Sequence, residues 1–210
     1  MAQVLKDNLR NDILKAAKQE FLEYGYKDAS MRRIAAKANM TVGNLYRYFK
    51  NKEDINMQIV GPTYEKLNDV IKRITSNKLS FETRVYNMRL DVKSVKDNLD
   101  IFAEELVDIY FSEPVEFSIL LIHSNLHENL VNWFAGIIKN LIMHSYTVEQ
   151  YEHVCELLSR SFSVSIFSGV KELFMISDVD ADELKKMLKI YFRTYMYTLD
   201  TDISIYIGNK

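Results

Sequence analysis

Ser30-Met-Arg-Arg-Ile-Ala-Ala-Lys-Ala-Asn39-Met-Thr41-Val-Gly-Asn-Leu-Tyr-Arg-Tyr-Phe-Lys-Asn51-Lys-Glu53 is the stretch on which the fold turns. Ser30 stands in an N-cap position ahead of Met31, Ile34, Ala35 and Ala38, a spacing that predicts a helix of about two turns. Asn39 ends it, because asparagine tolerates the left-handed conformation best after glycine. Thr41 is the next N-cap, and Val42, Leu45 and Phe49 form another inward stripe. Asn51 caps again, with Glu53 and Asp54 in a first turn where the helix dipole favours anions. Two short helices around a tight turn, the second with polar, aromatic and cationic side chains on its free face, make a helix-turn-helix that presents a reading helix to DNA.

Upstream, Leu9, Ile13, Ala16, Ala17, Phe21 and Tyr24 recur at helical spacing from about residue 5 to 24. Gly25 follows where a C-terminal cap is wanted. Downstream, a fourth helix is expected from about residue 52 into the seventies. Gly61-Pro62 interrupts it, and an interior proline loses a hydrogen bond and clashes with the preceding turn, so a kink or break is expected there. The division is placed on this helix: residues 1–54 as the reading domain and residues 55–210 as a larger one, with Gly61-Pro62 as the candidate flex point.

Helical patterns continue to the end. Ser80 precedes a stripe with Phe81, Val85 and Met88. Residues 97–111 bring Leu99, Phe102, Leu106 and Ile109 onto one face. Ser112-Glu113-Pro114 starts another helix, since proline is tolerated in a first turn; that pattern runs towards Leu141, with a break near Asn125 to Asn129. Thr147-Val-Glu-Gln150 and Asp180-Ala-Asp-Glu183 read as capping boxes for two long final helices. With two prolines and six glycines in 210 residues, the fold class is all-α: an N-terminal three-helix helix-turn-helix domain plus a larger C-terminal helical domain.

The net charge of −2 hides an asymmetry. Residues 1–60 hold eleven Lys/Arg against seven Asp/Glu, and residues 61–210 hold sixteen against twenty-two. A basic small part on an acidic larger one suits nucleic-acid contact through the first. The single Cys155 excludes an intramolecular disulfide and reads as core. No basic-then-apolar leader and no run of 18 apolar residues is present, so a cytoplasmic protein without a membrane span is expected.

The first 54 residues resemble the tetracycline-repressor-like (TetR) family of bacterial transcription regulators. The resemblance rests on Ile13…Ala16-Ala17…Phe21…Gly25-Tyr26…Ser30, on Ile34-Ala35…Ala38, and above all on Thr41-Val-Gly-Asn-Leu-Tyr-Arg-Tyr-Phe-Lys-Asn-Lys-Glu53. It covers about a quarter of the chain. It implies phosphate contacts for Ser30, Tyr46, Tyr48 and Lys52, and places near base edges for Arg32, Val42, Gly43, Asn44 and Arg47, with Thr41 at the head of the reading helix. The chemistry agrees: Asn44 can pair bidentately with adenine, Arg32 and Arg47 suit guanine O6 and N7, and Gly43 lets the backbone approach the groove. Leu45 and Phe49 already fill the inward stripe, which moves Tyr46 and Tyr48 off the core. Arg33 and Lys37 fall on other faces and are expected to be solvated. Two departures stand out: Ala29 where many members have a hydroxyl residue, and Asn39 where glycine is more usual.

For the larger part, the resemblance implies a homodimer through the last two helices of each subunit and a small-molecule effector. The sequence offers Phe102, Leu106, Phe117, Leu121, Trp133, Phe134, Phe162 and Phe167 as candidate walls for a largely apolar ligand, each of which also suits plain core. Small residues among large ones in Ser159 to Gly169 would let another helix come close. His123 and His127 share a helix face and could bind a metal with His144 or Glu116, but two ordinary surface or lining histidines fit as well; no metal or cofactor is expected. No glycine-rich phosphate loop or nucleophile-elbow pattern occurs, so the chain is not expected to be an enzyme. The expected function is a ligand-responsive regulator, a repressor released from a palindromic double-stranded operator by its effector. The rival reading is a small-molecule-binding protein or enzyme that keeps a vestigial reader.

Overall fold

The computed structural model describes residues 2–76, 92–123, 127–145, 152–176 and 179–201. Among them every regular element is a helix: α1 (Ala2–Asp28), α2 (Met31–Lys37), α3 (Val42–Leu45), α4 (Lys52–Ser76), α5 (Val92–Ser112), α6 (Pro114–His123), α7 (His127–Ser145), α8 (Glu152–Met175) and α9 (Ala181–Thr201). The stripe at Phe81, Val85 and Met88 and the Thr147–Gln150 box lie outside the described residues.

Contacts divide the chain into two compact units. The first takes in the described residues of Met1–Asn68 and Ile109–His127, and the second those of Asp69–Asp108 and Glu128–Lys210. Both α4 and α5 run through a division without interruption. The sequence alone placed a single cut at residues 54 and 55.

The first unit closes on Ile13, Ala17, Phe21, Ile34, Leu45, Phe49 and Ile55, all fully or almost fully buried. Gly25 takes φ 72° and ψ 166°, outside the helical region, so α1 bends there before its last turn. The α1 helix also packs along α6. Lys18 of α1 pairs with Glu116 of α6. Thr63, fully buried on α4, donates to Glu113 at 2.6 Å, and Lys66 pairs with the same carboxylate. Those two lysines and the threonine hydroxyl hold Glu113 below the ordinary carboxylate range, the Lys66 bond contributing most.

On α4 the break, one of the two alternatives expected at Gly61-Pro62, does not occur. The helix continues through Gly61-Pro62 with no break. The proline is exposed, so the amide bond it removes is lost on the outer side of the helix, where it costs less than in the core.

The second unit is organised around rings. Phe102 of α5 meets Trp133 of α7 and Phe192 of α9, with centroids 5.6 and 5.9 Å apart. Phe134 meets Phe167 of α8 at 5.6 Å. Asp180 caps α9 as expected, its carboxylate accepting the Glu183 amide at 2.8 Å. No helix among the described residues is long and apolar enough to cross a membrane.

Candidate nucleic-acid interface

Local capping chemistry builds the turn between α2 and α3. Ser30 has extended backbone, φ −127° and ψ 137°, and its hydroxyl accepts the Arg33 amide at 3.1 Å. At the other end of α2, Asn39 takes φ 53°. Its amide bonds to the Ala36 carbonyl, and the Met40 amide to the Ala35 carbonyl at 2.9 Å. That pair of bonds is a Schellman motif with asparagine in the usual glycine position. Thr41 then caps α3, its hydroxyl accepting the Asn44 amide at 3.2 Å.

The regular α-helix ends at Leu45, sooner than its stripe suggested. The chain continues in tighter turns, with Arg47 bonded back to Asn44 and Tyr48 to Leu45. Leu45 and Phe49 are buried, so this tightened segment still turns one face inward. Arg32, Thr41, Gly43, Tyr46 and Arg47 are exposed, Tyr46 by 52%. Ser30, Val42, Asn44 and Tyr48 are half-buried beside them.

Lys52 is placed differently from a free phosphate contact. Its ammonium donates to the carbonyls of Lys27 and Ala29, at 3.0 and 2.9 Å, and lies 4.7 Å from the centre of the Tyr26 ring. It thereby ties the end of α1 to the start of α4. An ammonium has three donors, which leaves one for a phosphate. Ala29, where the family pattern lapses, is buried, and its carbonyl rather than its side chain does the local work.

The cations sort into two groups. Arg33 and Lys37 are not simply solvated: both pair with Glu20, a carboxylate of α1 with no exposed surface. Burial pushes Glu20 up, but the Ser30 amide and the Arg33 and Lys37 side chains outweigh it and hold the carboxyl below its ordinary range. Arg10 bonds to Gln58 and lies 5.5 Å from the Phe49 ring centre. Arg32 and Arg47 make no ion pair among the described residues. The exposed face thus keeps the Arg32 and Arg47 guanidiniums outside any ion pair among the described residues, while Arg33, Lys37 and Lys52 hold the fold. Sequence reasoning missed Glu20, although a carboxylate inside the stripe of Ile13, Ala16, Ala17 and Phe21 was a usable signal.

The candidate ligand walls do not form one group. Phe102, Trp133, Phe134 and Phe167 come together in the second unit, with Leu106 buried and Phe162 half-buried there. Phe117 and Leu121 belong to the first unit, where Phe117 meets Tyr110 edge-on at 5.5 Å. The side chains of His123, His127 and His144 lie outside the described residues, and Glu116 is engaged by Lys18.

Residues 13–56 match the family described as "Bacterial regulatory proteins, tetR family". The chain is 31% identical over 74 residues to an HTH-type transcriptional regulator, YhgD, of Bacillus subtilis (strain 168), covering 35% of this chain and 39% of that protein. It is 37% identical over 62 residues to the fatty acid metabolism regulator protein of the same organism, covering 30% of each. The chain therefore spans well under half the length of these relatives. A TetR-like transcriptional regulator from Rhodococcus sp. RHA1 shares the fold, with a TM-score of 0.51 at 14% identity over 90% of this chain and 94% of that one. The helix-turn-helix assembled by these caps lies within residues 13–56, the part of the chain that matches the tetR family of bacterial regulatory proteins.

Proposed function

We propose that this chain is a homodimeric, ligand-responsive DNA-binding regulator of transcription, acting as a repressor. The observation that carries the reading is the exposed edge of α2, α3 and the tight turns that follow α3: Arg32, Gly43, Tyr46 and Arg47 are exposed, whereas Leu45 and Phe49 are buried. Its chemistry is that of groove recognition. The guanidiniums suit guanine, Asn44 suits adenine, and Ser30, Tyr46, Tyr48 and the spare Lys52 donor suit phosphates. Two such readers fit major grooves about 34 Å apart on a palindromic site.

The larger part supports pairing. On α8 the side chains of Val154, Leu157, Val164 and Met175 are exposed although apolar, and on α9 so are Ile190 and Tyr197. Ser161 and Ser168 lie among the first set and are also exposed, small enough to let a second helix approach. Several exposed apolar side chains on one face of a helix mark an association surface. The effector is a largely apolar molecule held among the rings of the second unit. It acts by preferring the conformation in which the two readers no longer match groove spacing, and a silencing effector must prefer that state by roughly 5 kcal/mol. A fatty acyl compound is the first to screen, because one relative is named for fatty acid metabolism.

Selection of bound duplexes from random DNA at moderate salt tests the reading. Enrichment of a palindrome, weakened by added salt and by Arg47→Ala, is the expected result. A dimer that enriches nothing means the reader is vestigial.

A further inference from the structure

Helix α2 begins with half of a capping box. The Ser30 hydroxyl accepts the Arg33 amide, and the return bond ordinarily comes from a glutamate or glutamine at the third helical position. Here that position is Arg33, whose side chain has no acceptor. The missing carboxylate arrives from another helix. Oε1 of Glu20 on α1 accepts the Ser30 amide at 3.1 Å and the Arg33 Nε–H at 2.5 Å. Lys37, one turn further along α2, lies 3.2 Å from Oε2. The Arg33 guanidinium also donates to the Asp28 carbonyl and sits 4.2 Å from the centre of the Tyr24 ring.

Taking a carboxylate out of water costs free energy that an apolar side chain would avoid. What the polar set adds is direction. Sliding or rotating α2 along α1 would break the Ser30, Arg33 and Lys37 contacts together, whereas apolar contacts degrade gradually. Helix α2 also carries the Schellman turn, and through it α3. We infer that Glu20 is the positioning residue of the reader: it completes the α2 cap from α1 and fixes the register in which Arg32 and the face of α3 reach the groove together. Enclosed as it is, Glu20 touches no DNA. The inference rests on the DNA-binding function proposed above.

Glu20→Gln keeps the volume, removes the charge and faces the two cations with an amide. Two measurements apply: titration of the duplex selected by the wild type against a scrambled duplex, and hydrogen–deuterium exchange of residues 31–37 in free protein. The variant is expected to melt cooperatively and to lose affinity for the selected duplex roughly tenfold or more. Affinity for the scrambled duplex, set by surface charge, should change less than about twofold. Residues 31–37 should exchange faster while residues 52–60 do not. A folded variant with an unchanged affinity ratio overturns the inference, and so does unchanged exchange in α2. If the wild type prefers no duplex, the DNA-binding function fails, and unchanged or faster exchange in α2 then decides the role of Glu20 without DNA. Should Glu20→Gln not fold, Arg33→Lys keeps Glu20 and the net charge. Its single ammonium cannot span the Glu20 carboxylate and the Asp28 carbonyl as the guanidinium does, so it should shift both readouts in the same direction.

Discussion

Gly43 separates two reasons for a glycine in a reading helix. A Cβ built there meets nothing within 4 Å, and the residue is exposed with no positive φ. The fold therefore has no use for the missing side chain. Gly43→Ala should hold or raise the melting temperature, since alanine favours a helix by up to about 1 kcal/mol over glycine. Affinity for the selected duplex should fall roughly tenfold or more, because a methyl group would separate backbone from base edges. Unchanged affinity would remove Gly43 from the interface. The same contrast explains which residues were readable from sequence. The Ser30 and Thr41 hydroxyls accept amides three residues on, and the turn at Asn39 closes through amide-to-carbonyl bonds spanning three and five residues, so their chemistry is visible in a short window. Glu20 works through Ser30, Arg33 and Lys37, ten to seventeen residues on, and Lys52 through Lys27 and Ala29. Such partners are fixed only once α1, α2 and α4 pack, which is why Arg33 and Lys37 read as solvated.

Between elements, close approach decides sign as well as size. A Cβ on Gly169 of α8 would come within 2.0 Å of the Tyr191 hydroxyl oxygen. That hydroxyl donates to the Ile166 carbonyl at 3.1 Å, and the ring sits 5.0 Å from Tyr195, whose own hydroxyl is 2.9 Å from Ser165 Oγ. Burial, then the bond to Tyr195, pushes the Tyr191 phenol well above its ordinary range, so it stays protonated as a donor. Helix propensity alone says that Gly169→Ala stabilises. Packing says the opposite, because Tyr191 must leave its bonds or α9 must move, and overpacking costs about 1–3 kcal/mol. Packing should win, and thermal or urea unfolding would show a destabilised variant; a gain in stability would mean Tyr191 is free to swing away. Small residues in Ser159 to Gly169 were legible as a place of close approach. The approaching partner was not, since Tyr191 lies more than twenty positions away. On its other side α9 pairs Arg193, Lys189 and Lys185 with Asp100, Glu104 and Asp108 of α5, a ladder with a four-residue step. Each exposed pair contributes about 1 kcal/mol or less, so the ladder sets register more than stability.

At the scale of the whole molecule, charge asymmetry and motif together marked the first part as the candidate reader, while the two units were not visible in the sequence. Ile109–His127 belongs with the first unit, where Lys18, Thr63 and Lys66 meet Glu116 and Glu113 across some fifty to a hundred positions, a pairing no periodicity encodes. The proposed dimerisation joins the scales. Leu157, 55% exposed, and Val164 lie seven residues apart on one face of α8, so a second copy would cover both. Leu157→Asp with Val164→Asp places like charges opposite each other across a two-fold axis, where residue and partner are the same patch. Neither side chain is buried within the chain, so the double variant should fold and sediment as a monomer at concentrations where the wild type is a dimer. A monomer carries one reader and neutralises half the phosphates. The slope of log affinity against log salt, about −0.9 per phosphate contact, should therefore halve. Affinity for a full palindrome should drop towards that for an isolated half-site, because the second contact is no longer intramolecular. A double variant that remains dimeric would place the interface on another face. One that is monomeric yet keeps the full salt slope would mean that a single chain makes all the phosphate contacts.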